Sequence, residues 1–443
     1  MAEQIRVRFE GPGSGTGELT WGQRQIWTAM QATDTSQSLR VVQPLPPGKT
    51  AEDLAEELRF FLSRYESMRT RLCFGADGTP GQVVSDEGEI AVLIVDAGES
   101  EDPAQAAEDL ADHWETTKFD YASEWPIRLA AIRHRGVDTH VVVVLSHLAA
   151  DGGGAAVMMT ELAQRDPLTG RVQAPVTGVG PLELAQLQRG PAAQRQSDSA
   201  LRYWERLLRT ATPKRFGPLT DRGEPRYRQV TLTSPAMNLA ANLIAARLST
   251  ATSPVLLAAF AIAVARVTGK NPVLTQAIVS NRFRPGLADA IHPVSQNGLL
   301  LIDVADMSLA EAVGRAQSAS IFGSKHAYYD PARCDQLCER IGVDIGCVYN
   351  DRRLATGTEP VPTLDQIRVA LAQRKLSWGK PLPLFNEKLM VTIGDAETGL
   401  EVLAEVDTHY VAVPEVEAIL LEMESVAAEA AEDPAGPTRV SVR

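Results

Sequence analysis

Cysteine is scarce: Cys73, Cys334, Cys338 and Cys347 are the only four among 443 residues. So few thiols, so widely scattered, exclude a disulfide-stapled secreted scaffold and fit a reducing cytosol. Cys334 and Cys338 stand four apart, on one face if their segment is helical. A zinc site would need two more ligands at recognisable spacing, so buried structural thiols are the expectation and no metal is assigned. Positive charge is also short. Against 56 Asp and Glu there are 43 Lys and Arg, a net charge of −13. A general nucleic-acid binder needs a basic surface to displace counterions, so that class is excluded. Long hydrophobic runs are missing too. The longest, Val255 to Ala265, stops at Arg266, short of the ~20 residues of a spanning helix. Met1 to Gly17 holds charges and glycines rather than the apolar core of a secretion signal. The expectation is a cytoplasmic protein that engages neither membrane nor nucleic acid.

What is present is a chain of α/β character. A hydrophobic fraction of 44% and a charged fraction of 22% are those of a folded protein, and the length suits two lobes rather than one core. Leu54, Leu58, Phe61, Leu62 and Tyr65 repeat at helical spacing, opposite Glu52, Asp53, Glu56, Glu57 and Arg59; residues 51–65 predict an amphipathic helix. Ile127 to His134 and Thr139 to Leu145 predict two strands joined by Arg135-Gly136-Val137-Asp138. The second run is apolar on both faces, as in a strand buried in the middle of a sheet. Ala155 to Arg165 predicts a helix. From about Asp166 to Ser199 periodicity fades among Pro167, Gly170, Pro175, Gly178 and Gly180, which suggests an inter-lobe connection with a short helix at Leu182 to Gln188. Beyond it, helices are expected at 201–208, 237–248, 255–267 and 414–431, and strands at 228–232 and 272–279. Ser308-Leu309-Ala310-Glu311 has the form of a capping box that starts a further helix, running to about Phe322.

The chemistry concentrates at Ser146-His147-Leu148-Ala149-Ala150-Asp151-Gly152. Acyl transfer to an amine or hydroxyl requires removal of a proton as the nucleophile attacks, and histidine titrates near neutrality. His147 sits where the buried strand ends, so rigid structure delivers it. Its second ring nitrogen is expected to be held by a backbone carbonyl. Asp151 either orients the histidine directly or pairs with an arginine and braces the loop; bracing is preferred. The N–H groups of Gly152 and Gly153 stand at a helix start, where an oxyanion is stabilised.

This segment resembles the HHxxxDG motif of the condensation domains of nonribosomal peptide synthetases, which share the chloramphenicol-acetyltransferase-like fold. Other stretches resemble that family in the right order. Leu19 to Trp27, with Gln23 and Trp27, is similar to its opening segment, and Arg64 to Leu72 to its RHExLRTxF motif. Phe119-Asp120 with Pro126-Ile127-Arg128, then Tyr203-Trp204 with Leu207, then Asn281-Arg282 with Pro293 continue the series. The likeness runs from about residue 18 to about 433. It implies two acetyltransferase-like lobes in a V, taken as 1–175, carrying the motif, and 176–443. It implies that His147 works on the acceptor and that Asp151 binds an arginine of the second lobe, for which Arg282 is the candidate. It also implies a donor thioester on the phosphopantetheine of a carrier protein, and a small-molecule acceptor.

Two positions depart from the family pattern: Ser146 replaces the first motif histidine, and Gln296 stands where an asparagine is usual. The DxxxxD of heterocyclising members and the Ser-Trp of epimerising members are missing. Ser377-Trp378-Gly379 echoes only the end of the DFGWG motif of plant-type acyltransferases that use coenzyme A. No stretch remains for an adenylation module or carrier, so a free-standing monomer that meets its carrier in trans and binds no cofactor itself is expected. Arg202, Arg206 and Arg209, followed by Lys214 and Arg215, form either a solvated helix face or a surface for an acidic carrier. A non-catalytic recruiter and a coenzyme A-dependent acyltransferase are the competing functions.

Overall fold

In the computed structural model of the protein, which describes residues 3–166, 174–211, 216–219, 222, 224–353 and 360–441, the consecutive valines Val141 to Val144 expected to carry the motif form an interior strand. The first compact body contains β1 (Glu3–Glu10), β2 (Gly15–Glu18), α1 (Trp21–Thr33), β3 (Leu39–Pro44), α2 (Ala51–Arg64), β4 (Thr70–Phe74) and β5 (Pro80–Val84). It continues with β6 (Glu87–Ala97), α3 (Pro103–Thr116), β7 (Ile127–His134), β8 (Val137–Leu145), α4 (Gly152–Ala163) and α5 (Pro181–Arg189). Five strands form one sheet in the order β1-β6-β7-β8-β3, parallel only between β6 and β7; β2-β5-β4 form a small second sheet.

β8 is paired on both edges, next to the sheet's border. Val142 and Val144 are fully buried with Ala107, Ala111 and Trp114 of α3, while Val141 and Val143 pack on the cluster of Leu54, Leu58 and Leu62 of α2. Burying one such valine stabilises the fold by ~1.5 kcal/mol or more, which fixes where the strand ends. The β7–β8 turn is shorter than the sequence suggests. Arg135 and Gly136 alone form it, both at positive φ (52° and 76°), the two-residue hairpin geometry that matches strand twist; Val137 and Asp138 already belong to β8.

The long helix α6 (Pro191–Thr210) carries the chain into the second body. There follow β9 (Tyr227–Ser234), α7 (Pro235–Leu248), α8 (Thr252–Thr268), β10 (Val273–Val279), β11 (Gln296–Ile302), α9 (Leu309–Lys325), α10 (Pro331–Ile341) and β12 (Cys347–Asp351). Last come α11 (Leu364–Leu371), β13 (Lys375–Trp378), β14 (Leu389–Ala396), β15 (Gly399–Asp407) and α12 (Val413–Glu432). Seven strands make a mixed sheet, β11-β10-β12-β14-β15-β9-β13. The run Val255 to Ala265 is buried all round within α8, which explains its lack of polar residues. Among the described residues no single helix is long and apolar enough to cross a membrane. The capping box at Ser308 is present, with Glu311 N–H donating to Ser308 Oγ at 3.2 Å and Ser308 N–H to Glu311 Oε2 at 2.8 Å.

The fold is therefore α/β, but its division differs from a cut at 175/176. The first body runs to Arg195 and also takes in Ser280–Gln296; the second comprises Gln196–Val279 and Asn297–Arg443. The physical reason lies in local packing. Gly178 approaches Asp289 so closely that a Cβ would fall 2.1 Å from its carbonyl oxygen, and α5 lies against β2. Both segments thus belong with the first body.

Candidate active site

His147 stands in a turn directly after β8. Ser146 N–H donates to the carbonyl of Pro126 (2.8 Å), Ala149 N–H to that of Ser146 (3.0 Å), and Leu148 N–H to Ser146 Oγ (3.3 Å). Gln23, buried at the start of α1, donates through Nε2 to the carbonyl of Leu148 (3.4 Å). His147 itself is only half-buried. Its Nδ1 lies 3.0 Å from the carbonyl oxygen of Ala150. A carbonyl only accepts, so Nδ1 carries the proton, and in the neutral ring Nε2 keeps the lone pair.

Asp151 caps α4 and is saturated by partners other than His147. Its Oδ1 accepts from Gly154 N–H (2.8 Å) and from the Arg282 guanidinium; its Oδ2 accepts from Ser295 Oγ (3.2 Å) and Val294 N–H (3.4 Å). Arg282 also donates to the carbonyls of Ala290 (2.6 Å) and Ala288 (3.3 Å). The carboxylate is therefore engaged as a brace between the α4 N-terminus and the segment 280–296. The arginine expected from the second lobe is found, but its segment clusters with the first body.

The glycine run divides by function. A Cβ on Gly153 would meet Arg282 Nε at 2.2 Å, and one on Gly154 would meet the carbonyl oxygen of Ile291 at 2.0 Å. Those two glycines let the brace approach the helix. Gly152 has nothing within 4 Å of the same position and is exposed. Its N–H and that of Gly153 belong to the first turn of α4, where a helix favours negative charge.

Sequence reasoning missed His292. It is 1% exposed, and burial lowers its pKa to about 4, with Asp151 opposing and Arg282 reinforcing the shift. It is a neutral imidazole packed beside the ion pair. Nothing in its sequence neighbourhood, Ile291-His292-Pro293, distinguishes it from a surface histidine. Ser295 and Val294, which complete the shell of Asp151, were equally invisible as partners. Gln296 is buried where β11 begins.

The remaining candidates fall elsewhere. Arg202, Arg206 and Arg209 are exposed on α6; Arg209 pairs with Glu205 (2.7 Å), and Arg206 lies over the ring of Tyr203 (5.4 Å). Lys214 and Arg215 lie outside the described residues. Cys334 is buried in α10 beside Tyr329 and Trp204. Trp378 donates to Glu417 (2.6 Å) on α12, a packing role at the sheet edge.

A family model for the condensation domain matches residues 14–329. The nonribosomal peptide synthetase kk1B of Curvularia clavata is 27% identical over 253 residues, which is 54% of this chain and 2% of that protein. The chain thus spans a small fraction of the curated relatives it matches. Among solved structures, the condensation domain of the Monacolin K polyketide synthase MokA superposes with a TM-score of 0.74 at 16% identity, covering 96% of this chain and 100% of that one. The X-domain in complex with OxyB from teicoplanin biosynthesis gives 0.73 at 16% identity, covering 98% and 97%.

Proposed function

The chain belongs to the condensation-domain family, and from that premise we propose that it is an acyltransferase that joins a carrier-bound acyl or aminoacyl thioester to an amine or hydroxyl acceptor. The supporting observation is the half-buried His147, whose Nδ1–H is held by the Ala150 carbonyl. That hydrogen bond leaves Nε2 as the basic nitrogen. The acceptor nitrogen or oxygen attacks the thioester carbonyl while Nε2 takes its proton. The new C–N or C–O bond replaces the C–S bond, and the proton leaves with the carrier thiol. First-turn N–H groups of α4 are the donors suited to the negative oxygen that develops. Asp151, with both oxygens engaged, keeps the turn and helix in register and takes no proton.

The donor is proposed to arrive on a separate carrier protein, through a transient and modest interface. Offering one acyl group both on a carrier protein and on coenzyme A, with an amine panel and mass-spectrometric detection, tests this. Faster product formation from the carrier is expected; preference for free coenzyme A would overturn the carrier reading. A second reading, a non-catalytic recruiting domain, draws on Ser146 in place of the first motif histidine. It predicts no product from either donor.

A further inference from the structure

A small cavity lies under the motif turn in the first body. Its volume is about 20 Å³, and its lining includes Gln23, Ser67, Arg71, Tyr121, Ser146 and Leu148. Three of these side chains carry a buried polar atom with no hydrogen-bond partner among the described residues: Ser67 Oγ, Arg71 Nε and the Tyr121 hydroxyl. Ser36 lies beside the Tyr121 hydroxyl, and a hydroxyl that both donates and accepts still has room for a further partner. Buried polar groups are almost always satisfied by protein or by ordered water, and leaving one unpaired is costly. Three residues that line one void thus carry such a group, which points to a common partner. A water needs roughly 10–15 Å³ and two to four polar contacts; an organic ligand does not fit in this volume. Arg71 Nε–H only donates, whereas the two hydroxyls donate or accept, a combination that one water oxygen and its two protons can meet.

The cavity wall is also the support of the motif. Ser146 Oγ accepts from Leu148 N–H, and Gln23 donates to the Leu148 carbonyl, so the residue following His147 is gripped on both sides by side chains of the lining. We infer that this cavity binds one ordered water, held by Ser67, Arg71 and Tyr121, and that the water is a positioning element for the His147 turn. Serine at 146, where the family motif has its first histidine, then forms part of a hydrated cradle in place of an imidazole.

A crystal structure of the full chain, at a resolution that places ordered waters, tests the site directly. A density peak within hydrogen-bonding distance of at least two of the three groups is expected. A dry cavity, or an anion identified by anomalous scattering, overturns the inference. The kinetic arm rests on the function proposed above, whereas the crystallographic arm does not, so the two fail separately. The variant pair Ser67→Ala and Tyr121→Phe, combined in one chain, should lose the peak. It should lower kcat by about tenfold, as misplaced catalytic groups do, with KM for the acyl carrier unchanged. Loss of the peak with an unaltered kcat would remove the positioning role.

Discussion

At the scale of single residues, the least expected group is His292. A histidine charges when it can be solvated, and at 1% exposure it cannot. The folded protein keeps it neutral down to about pH 4, whereas the unfolded chain takes up the proton near the ordinary value of 6.5. The stability associated with this residue is therefore complete above about pH 6.5. It is lost as the pH falls from there towards about 4, because the unfolded state binds a proton that the folded state refuses. The size is on the order of 3 kcal/mol. Urea unfolding at several pH values should show a shallower decline in His292→Gln than in the parent; equal slopes over that window would contradict the assignment. Ser146 illustrates a different limit. Its hydroxyl is visible in the sequence as a departure, but only the structure shows that it accepts from Leu148 N–H beside a small cavity.

At the scale of elements, the decisive feature is the junction of the α4 N-terminus with segment 280–296. Asp151 is both helix cap and ion-pair partner, and the pair is buried, with side-chain exposures of 6% for Asp151 and 16% for Arg282. Removing one partner leaves the other charge desolvated, so Asp151→Ala or Arg282→Ala should each cost about 3–5 kcal/mol. Groups that share one interaction are not additive; the double variant should cost clearly less than the sum of the two, as read by denaturant unfolding. Strict additivity would show that the pair is not coupled.

Elements with strong periodicity were legible beforehand. The apolar spacing of α2, the two-sided apolar run of β8 and the box at Ser308 each fixed an element to within a few residues. The start of α4 was placed three residues late, because glycine reads as a helix breaker, yet Gly153 and Gly154 are there to admit Arg282 and Ile291. His147, Asp151 and Arg282 could be named from spacing and family likeness. The further partners of Asp151 could not, since they lie 143 and 144 residues away in sequence and no local pattern marks them.

At the scale of the whole molecule, the chain is a condensation-domain protein with two compact bodies, the first holding a five-stranded and a three-stranded sheet and the second a seven-stranded one. The surprise is that the second half returns seventeen residues, Ser280–Gln296, to the first body, and those residues complete the environment of the motif. A boundary drawn from fading periodicity near residue 175 cannot show this, because the returning stretch carries no hydrophobic period of its own. The central claim concerns the motif histidine. A single-turnover assay of His147→Ala, with carrier-bound donor and amine acceptor and with unfolding measured in parallel, tests it most directly. The account predicts native-like stability and a rate lower by about 10²–10⁴-fold, the usual contribution of a general base; a wild-type rate in the folded variant would contradict it.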